Sequence, residues 1–233
     1  MNKFKKYITV ITFVLISISL YSCLSVDRKI KINRDGSGEE VLKITFLKEF
    51  YTMISSMSSL MDSARREGFL DSLYNDEIFL NKTRSSYDSI PGIKIIEMVA
   101  SKKPDSSNSF TIKYEFDSIQ KIGQSLGQLK DSNDKSQTTV VLDKEGSNVK
   151  FLYLYEQGAP AGMPVNDSLS EEMRKGMAAM FGSGNINIQI EFPYHVISSN
   201  AVFTEGNNLS WYYPISEIFM TSSMRLEANM REE

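Results

Sequence analysis

The chain has 233 residues, 41% of them hydrophobic and 24% charged, with 26 basic side chains against 29 acidic ones and one cysteine. This is the composition of a folded globule large enough to bury a core, which excludes a disordered tail. A formal net charge of −3 without a basic run argues against nucleic acid as a partner, and a lone cysteine excludes an intramolecular disulfide.

The N-terminus reads as an address. Lys3, Lys5 and Lys6 precede residues 7–20 (YITVITFVLISISL), an uncharged apolar run. Its 14 residues fall short of the ~20 that a spanning helix needs, so the segment reads as an export signal rather than as part of the fold. It ends in Leu20-Tyr21-Ser22-Cys23, which resembles the lipobox of bacterial lipoproteins. That resemblance implies a signal peptide over 1–22 cut after Ser22, lipid such as palmitate on Cys23, and a mature envelope domain over 23–233. Two or three acyl chains hold a membrane firmly, so the expected partner is the membrane itself, through Cys23. Leu24 follows the cysteine where enteric sorting rules place Asp for inner-membrane retention; the expectation is the outer membrane, facing the periplasm. Without Lys3, Lys5 and Lys6, 23 basic residues face 29 acidic ones. A mature domain at −6 is a poor match for anionic headgroups as well as for nucleic acid.

Extended chain is expected at once. Val26, Arg28, Ile30 and Ile32 fall on one side of a strand, and Arg34-Asp35-Gly36-Ser37-Gly38 turns it into a second strand over 39–47. Phe50, Met53, Ile54, Met57, Leu60 and Met61 then recur at helical spacing, and a less regular helix follows over 69–86. Strands are predicted at 93–100 and 109–116, and a helix at 118–129. Strands at 138–143 and 148–155 follow, then a Gly/Pro/Ala loop over 158–164. Ser168 and Glu171 are spaced as a capping box for a helix over 168–181. With glycines at both of its ends, 158–184 is expected to be a mobile flap over an apolar interior near the membrane. Strands at 185–192, 194–204, 209–213 and 224–230 complete the chain, with a short turn at 216–220. Hairpins dominate. The predicted fold is one α+β domain: a mostly antiparallel, curved sheet with three or four helices on one face.

The chemistry-bearing patterns are few. Gly123-Gln124-Ser125-Leu126-Gly127 matches G-x-S-x-G, and with Asp143 or Asp167 and His195 it has the order of a hydrolase triad. That motif needs a strand running straight into a strained turn, whereas Ile119 and Ile122 already begin a helical period, so no catalytic residue is expected. His195 is the sole histidine and has no ligand partner at zinc spacing. Asn33-Arg34-Asp35-Gly36 lacks the later ligands of a calcium loop and reads as a turn. No metal and no cofactor is expected. Trp211 lies on a strand as a core anchor.

Two patterns remain. Five Asp-Ser-apolar triplets place Ser63, Ser72, Ser89, Ser118 and Ser168 after an aspartate. They resemble the acceptor motif of the O-glycosylation system of Bacteroidota periplasmic proteins; helix capping by Asp and Ser is the competing reading. Met53, Met57 and Met61 share one helix face, and Met173, Met177 and Met180 another. Such faces serve as ordinary core, as a deformable wall around an apolar ligand such as a lipid tail, or as thioether ligands for a soft metal such as Cu(I), for which no His or Cys nearby gives support. Finally, the lipobox, the hairpin Lys31-Ile32-Asn33-Arg34-Asp35-Gly36-Ser37-Gly38 and the hairpin Gly206-Asn207-Asn208-Leu209-Ser210-Trp211 look like LppM-type and related uncharacterised bacterial lipoproteins. That resemblance implies an α+β domain with a curved sheet, for which lipid binding has been proposed, and carries over no functional residue. The sequence therefore points to a non-catalytic envelope module, structural or protein-binding, with apolar-ligand binding through a Met-rich cavity as the alternative.

Overall fold

A computed structural model describes residues 24–58, 66–67, 74–127, 136–156, 171–172, 175–176, 178–179, 181–182, 184–221 and 223–232. The fold is α+β and mostly antiparallel, as expected, but its strands divide between two sheets.

The N-terminal hairpin follows the sequence pattern. Strand β1 (Leu24–Ile32) buries Arg28, Ile30 and Ile32 and exposes Lys29 and Lys31, the period of two of a half-buried strand. It pairs in full with β2 (Gly38–Phe46). The connecting turn is closed by Asp35, whose carboxylate accepts from the Ser37 backbone N–H at 3.0 Å and its hydroxyl at 2.6 Å. Those bonds hold the Asp35 carboxyl below its usual range, so this is a self-satisfied turn. Helix α1 (Lys48–Ser58) covers the start of the expected 50–61 stripe. Helix α2 (Asp76–Asp88) is capped by Asn75, which accepts from the Glu77 and Ile78 backbone N–H groups; residues 69–73 of the helix expected over 69–86 lie outside the described residues. Strands β3 (Ile93–Lys102) and β4 (Asn108–Phe116) form the next hairpin, and α3 (Gln120–Gly127) follows. Strands β5 (Gln137–Glu145) and β6 (Asn148–Glu156) form another.

The C-terminal half is where the structure departs from the sequence reading. Strand β7 (Asn185–Glu191) joins β1 in parallel, a pairing that hairpin logic does not suggest. The strand expected over 194–204 is two strands in different sheets: β8 (His195–Ser199) and β9 (Phe203–Glu205). Pro193 offers no N–H to a ladder, and flanking Phe192 and Tyr194 are buried as the chain crosses between sheets. The second crossing is pinned by Asn200. Its Nδ2 donates to the Arg225 carbonyl, and its Oδ1 accepts from Trp211 Nε1 and the Glu227 backbone N–H, each at 2.8 Å. Strand β10 (Asn208–Pro214), helix α4 (Ile215–Thr221), which was expected as a short turn, and β11 (Ser223–Arg231) complete the chain.

The large sheet runs β3-β4-β2-β1-β7-β10-β9 and the smaller one β5-β6-β11-β8. Their inner faces enclose the main core, where Leu42, Ile112, Ile188, Ile190, Leu209 and Trp211 meet Val149, Tyr153, Leu226 and Met230. Trp211 is a core anchor, as the sequence indicates. A second cluster of Phe50, Phe181 and Ile215, with Leu24, Phe46 and Phe219 against it, seals one end of the large sheet. Ala178 and Phe181 are buried, and Phe181 stacks on Phe219 with ring centroids 5.6 Å apart. The far end of the expected flap is thus packed, because an aromatic at its terminus supplies the apolar bulk that its alanines lack.

Candidate functional site

The register of the large sheet gathers one group of residues at one end. Leu24 lies opposite Phe46, Phe46 opposite Asn108, and Asn108 opposite Lys102. Lys102 is three strand spacings from Leu24, about 14 Å across the sheet. Helix α1 follows β2 at this end and packs Phe50 on Phe46, ring centroids 4.6 Å apart. Between α1, Tyr74 and the β3–β4 turn lies a cleft of about 680 Å³, within the ~300–1,000 Å³ range of small-molecule sites.

The cleft has a distinct chemistry. Tyr51 and Tyr74 stack at 5.5 Å with 26° between their planes and form an aromatic wall. Burial pushes the Tyr51 pKa up, and the Asn108 amide partly offsets that. Lys48, Lys102 and Lys103 bring positive charge to the lining. Lys102 reaches Asp76 at 3.3 Å. Asn108 is buried, and its Nδ2 donates to the Asp76 carboxylate at 2.5 Å. A carboxylate accepts only, so this bond fixes the amide's orientation. Asn108 Oδ1 is left buried without a hydrogen-bond partner among the described residues. Ser106, in the turn beside it, holds a positive φ of 66°.

A polar group of another kind spans the main core. Arg28 Nε and Nη2 grip Glu40 side-on at 2.6 and 2.9 Å. Arg28 Nη1 donates to Tyr153 Oη at 3.3 Å, and Tyr114 donates a short hydrogen bond to Glu40. Arg28 is 2% exposed and Glu40 fully buried. Burial acts to lower the Arg28 pKa, but the Glu40 carboxylate, helped by the phenols, leaves it well above its ordinary value. Burial, then the Glu40 charge, pushes the Tyr114 hydroxyl well above the phenol range. These groups satisfy one another, and the network ties β1, β2 and β4 to β6 across the two sheets. The sequence signal was present: Arg28 and Glu40 both stand in the apolar phase of their strands.

The residues singled out by sequence are dispersed. Ser125 lies within α3, a helix and not a strand-to-turn elbow. Asp143 on β5 and His195 on β8 are both exposed and stand on opposite edges of the four-stranded sheet; the register row of Asp143 reaches Ser198 and not His195, so more than three strand spacings, over about 14 Å, separate them. Asp167 lies outside the described residues. No cluster of three metal-ligating side chains occurs among the described residues.

Ser89 and Ser118 come to one corner, at the end of the large sheet remote from Leu24. Gly92, with φ of 85°, places its Cα against the Asp117 carboxylate, and its carbonyl accepts from the Asp117 backbone N–H at 2.9 Å. Ser89 is the C-cap of α2, not an N-cap. Ser118 precedes α3, and its hydroxyl bonds the Gln120 side chain. The third residues of both triplets, Ile90 and Ile119, are buried and anchor the corner. Ser22, Cys23, Ser63, Ser72, Ser168, Met61, Met173, Met177 and Met180 lie outside the described residues, as do the side chains of Met53 and Met57.

No family model matches the chain, and no curated protein matches it. Solved structures that match over most of its length include the following two. The folded domain of LppM from Mycobacterium tuberculosis is 13% identical over 90% of both chains, with a TM-score of 0.45. The mu homology domain of Fcho1 from Danio rerio, solved with a bound Eps15 peptide, is 10% identical over 92% of this chain and 82% of its own, with a TM-score of 0.25. Neither likeness transfers a site, a ligand or a partner to this chain.

Proposed function

We propose that the chain is a lipid-tethered, non-catalytic module of the bacterial envelope, acting as a structural or binding domain held with one end of its large sheet against the outer membrane. The observation that supports this reading is the position of β1. It begins at Leu24, one residue after the lipobox Cys23, and is hydrogen-bonded on both sides, to β2 and to β7. Consecutive Cα atoms are about 3.8 Å apart, so lipid on Cys23 would bring the Leu24 end of the sheet to the bilayer with no linker between. The cleft opens at that end. A non-catalytic role fits the scattering of Ser125, Asp143 and His195 over a helix and two sheet edges.

The test is metabolic labelling with a fatty acid in a bacterial host, followed by intact mass. The parent should incorporate label and lose residues 1–22, whereas Cys23→Ser should remain uncleaved and unlabelled. Equal labelling of the two would overturn the tether.

A further inference from the structure

We propose that the cleft between α1 and the β3–β4 turn binds the phosphoethanolamine headgroup of a membrane phospholipid, its phosphate on Lys48 and Lys103 and its ammonium on the Tyr51–Tyr74 wall beside Asn108. The proposal rests on the tethered orientation, which puts this end of the sheet at the bilayer.

The cleft presents the two halves of a zwitterion's complement. Lys48 and Lys103 line it, while Lys102 is engaged with Asp76. Lysine ammonium groups suit a phosphate as point charges. On the other side, the faces of stacked tyrosines attract a cation. Beside them, Asn108 Oδ1 is an acceptor that lacks a donor. The Asp76 carboxylate fixes the amide nitrogen away from that role, so the missing group has to be a donor. A primary ammonium carries three donors; a quaternary one carries none and cannot serve Oδ1. This selects ethanolamine over choline. The net charge agrees, since an acidic mature chain discourages a purely anionic headgroup but not a zwitterionic one. The source of the ligand is argued from place. The row from Leu24 through Phe46 and Asn108 to Lys102 sets the cleft about 14 Å sideways from the point of attachment, level with the tether.

The full chain, purified in non-ionic detergent, is titrated with dihexanoyl phosphatidylethanolamine, the matching phosphatidylcholine and phosphatidylglycerol, and free phosphoethanolamine. Backbone amide shifts of Tyr74 and Lys103–Asn108 report binding. Saturable shifts are expected with phosphatidylethanolamine, and affinity about ten-fold weaker for phosphatidylcholine. Lys48→Ala/Lys103→Ala and Tyr74→Leu should each weaken binding about ten-fold, with hydrogen exchange of β1 and β4 unchanged. Equal affinity for ethanolamine and choline lipids, preference for phosphatidylglycerol, or indifference to these variants overturns the headgroup assignment. Free phosphoethanolamine binding as tightly as the lipid overturns the bilayer as its source. The titration reads the cleft whether or not Cys23 is acylated, and the intact mass of the same preparation reports the tether separately.

Discussion

Removing Glu40 should be among the most damaging single changes in this protein. Glu40→Ala leaves the Arg28 guanidinium, 2% exposed, with Tyr153 Oη as its remaining side-chain partner and takes from the Tyr114 hydroxyl its carboxylate acceptor. A buried charge stripped of its counter-ion costs about 3–5 kcal/mol, against a total stability on the order of 5–15 kcal/mol. With a urea m-value of about 2 kcal/mol/M, the midpoint should fall by about 1.5–2.5 M. For a domain of this size the melting temperature should drop by about 6–20 °C. Removing both charges is a different perturbation. Arg28→Met/Glu40→Leu keeps apolar volume in place and leaves no buried charge; relative to Glu40→Ala it withdraws one further partner, Arg28 from the Tyr153 hydroxyl, at about 1–3 kcal/mol, against the roughly 3–5 kcal/mol of stripped charge that it removes. The double variant should therefore be no less stable than Glu40→Ala alone, although it carries one more substitution. Urea unfolding followed by Trp211 fluorescence measures all three proteins. A shift below about 0.5 M for Glu40→Ala, at unchanged m-value, would put the pair in the range of a surface ion pair and refute the argument from burial.

The buried phenols give a second prediction. Burial raises the Tyr114 and Tyr153 pKa values in the fold, so their contribution to stability is intact below the unfolded value of about pH 10 and is lost as pH rises through the folded values. Tyrosinate absorbance should show a late step coincident with loss of far-ultraviolet dichroism; ionisation of every tyrosine before unfolding would contradict it. Asn200→Ala should cost about 2–3 kcal/mol by orphaning the Trp211 and Glu227 N–H donors, read as a lower urea midpoint; a neutral result would show that water replaces the amide without loss. If the Asp-Ser triplets are acceptors, native-host protein should carry a discrete added mass that falls in Ser89→Ala or Ser118→Ala, and an intact mass accounted for by lipid and polypeptide alone would reject them.

Much of this fold was legible because much of it is local. The hairpins β1–β2, β3–β4 and β5–β6 each announce themselves by alternation on both sides of a short polar turn, and their observed registers keep the apolar phase inward. The errors fall where the determinant is distant in sequence. Residues 194–204 look like one strand because the signal that splits them is Asn200 bonding to groups at 211, 225 and 227. The short turn at 216–220 became α4 because Ile215 and Ile218 have an apolar surface to cover. Arg28 was placed on the correct side of its strand, but its partner Glu40 could be named only once the register set the two strands side by side. The cleft was not legible at all: Lys48, Tyr74 and Asn108 are ordinary surface types until α1 and the β3–β4 turn are brought together.

The parallel pairing of β1 with β7 decides how the domain would bear the load that the proposed lipid on Cys23 would apply. Had the chain been hairpins alone, β1 would have been an edge strand, and tension on its first residue could have peeled it from β2 one hydrogen bond at a time. Instead every residue of β1 from Leu24 to Ile32 faces a partner on β2, and Ser25 to Lys31 also face partners on β7. Tension at Leu24 is therefore shared by two ladders. It also meets Arg28, whose side chain is bound to β2 and β6 partners within the first half of the strand. A parallel pair needs a crossover connection, and here the crossover carries β5 and β6, so closing β1 onto β7 locks the second sheet over the first. Under the proposed tether, the strand that would take the load is an inner strand of the large sheet, bonded on both sides and tied to the second sheet through Arg28 and Tyr153.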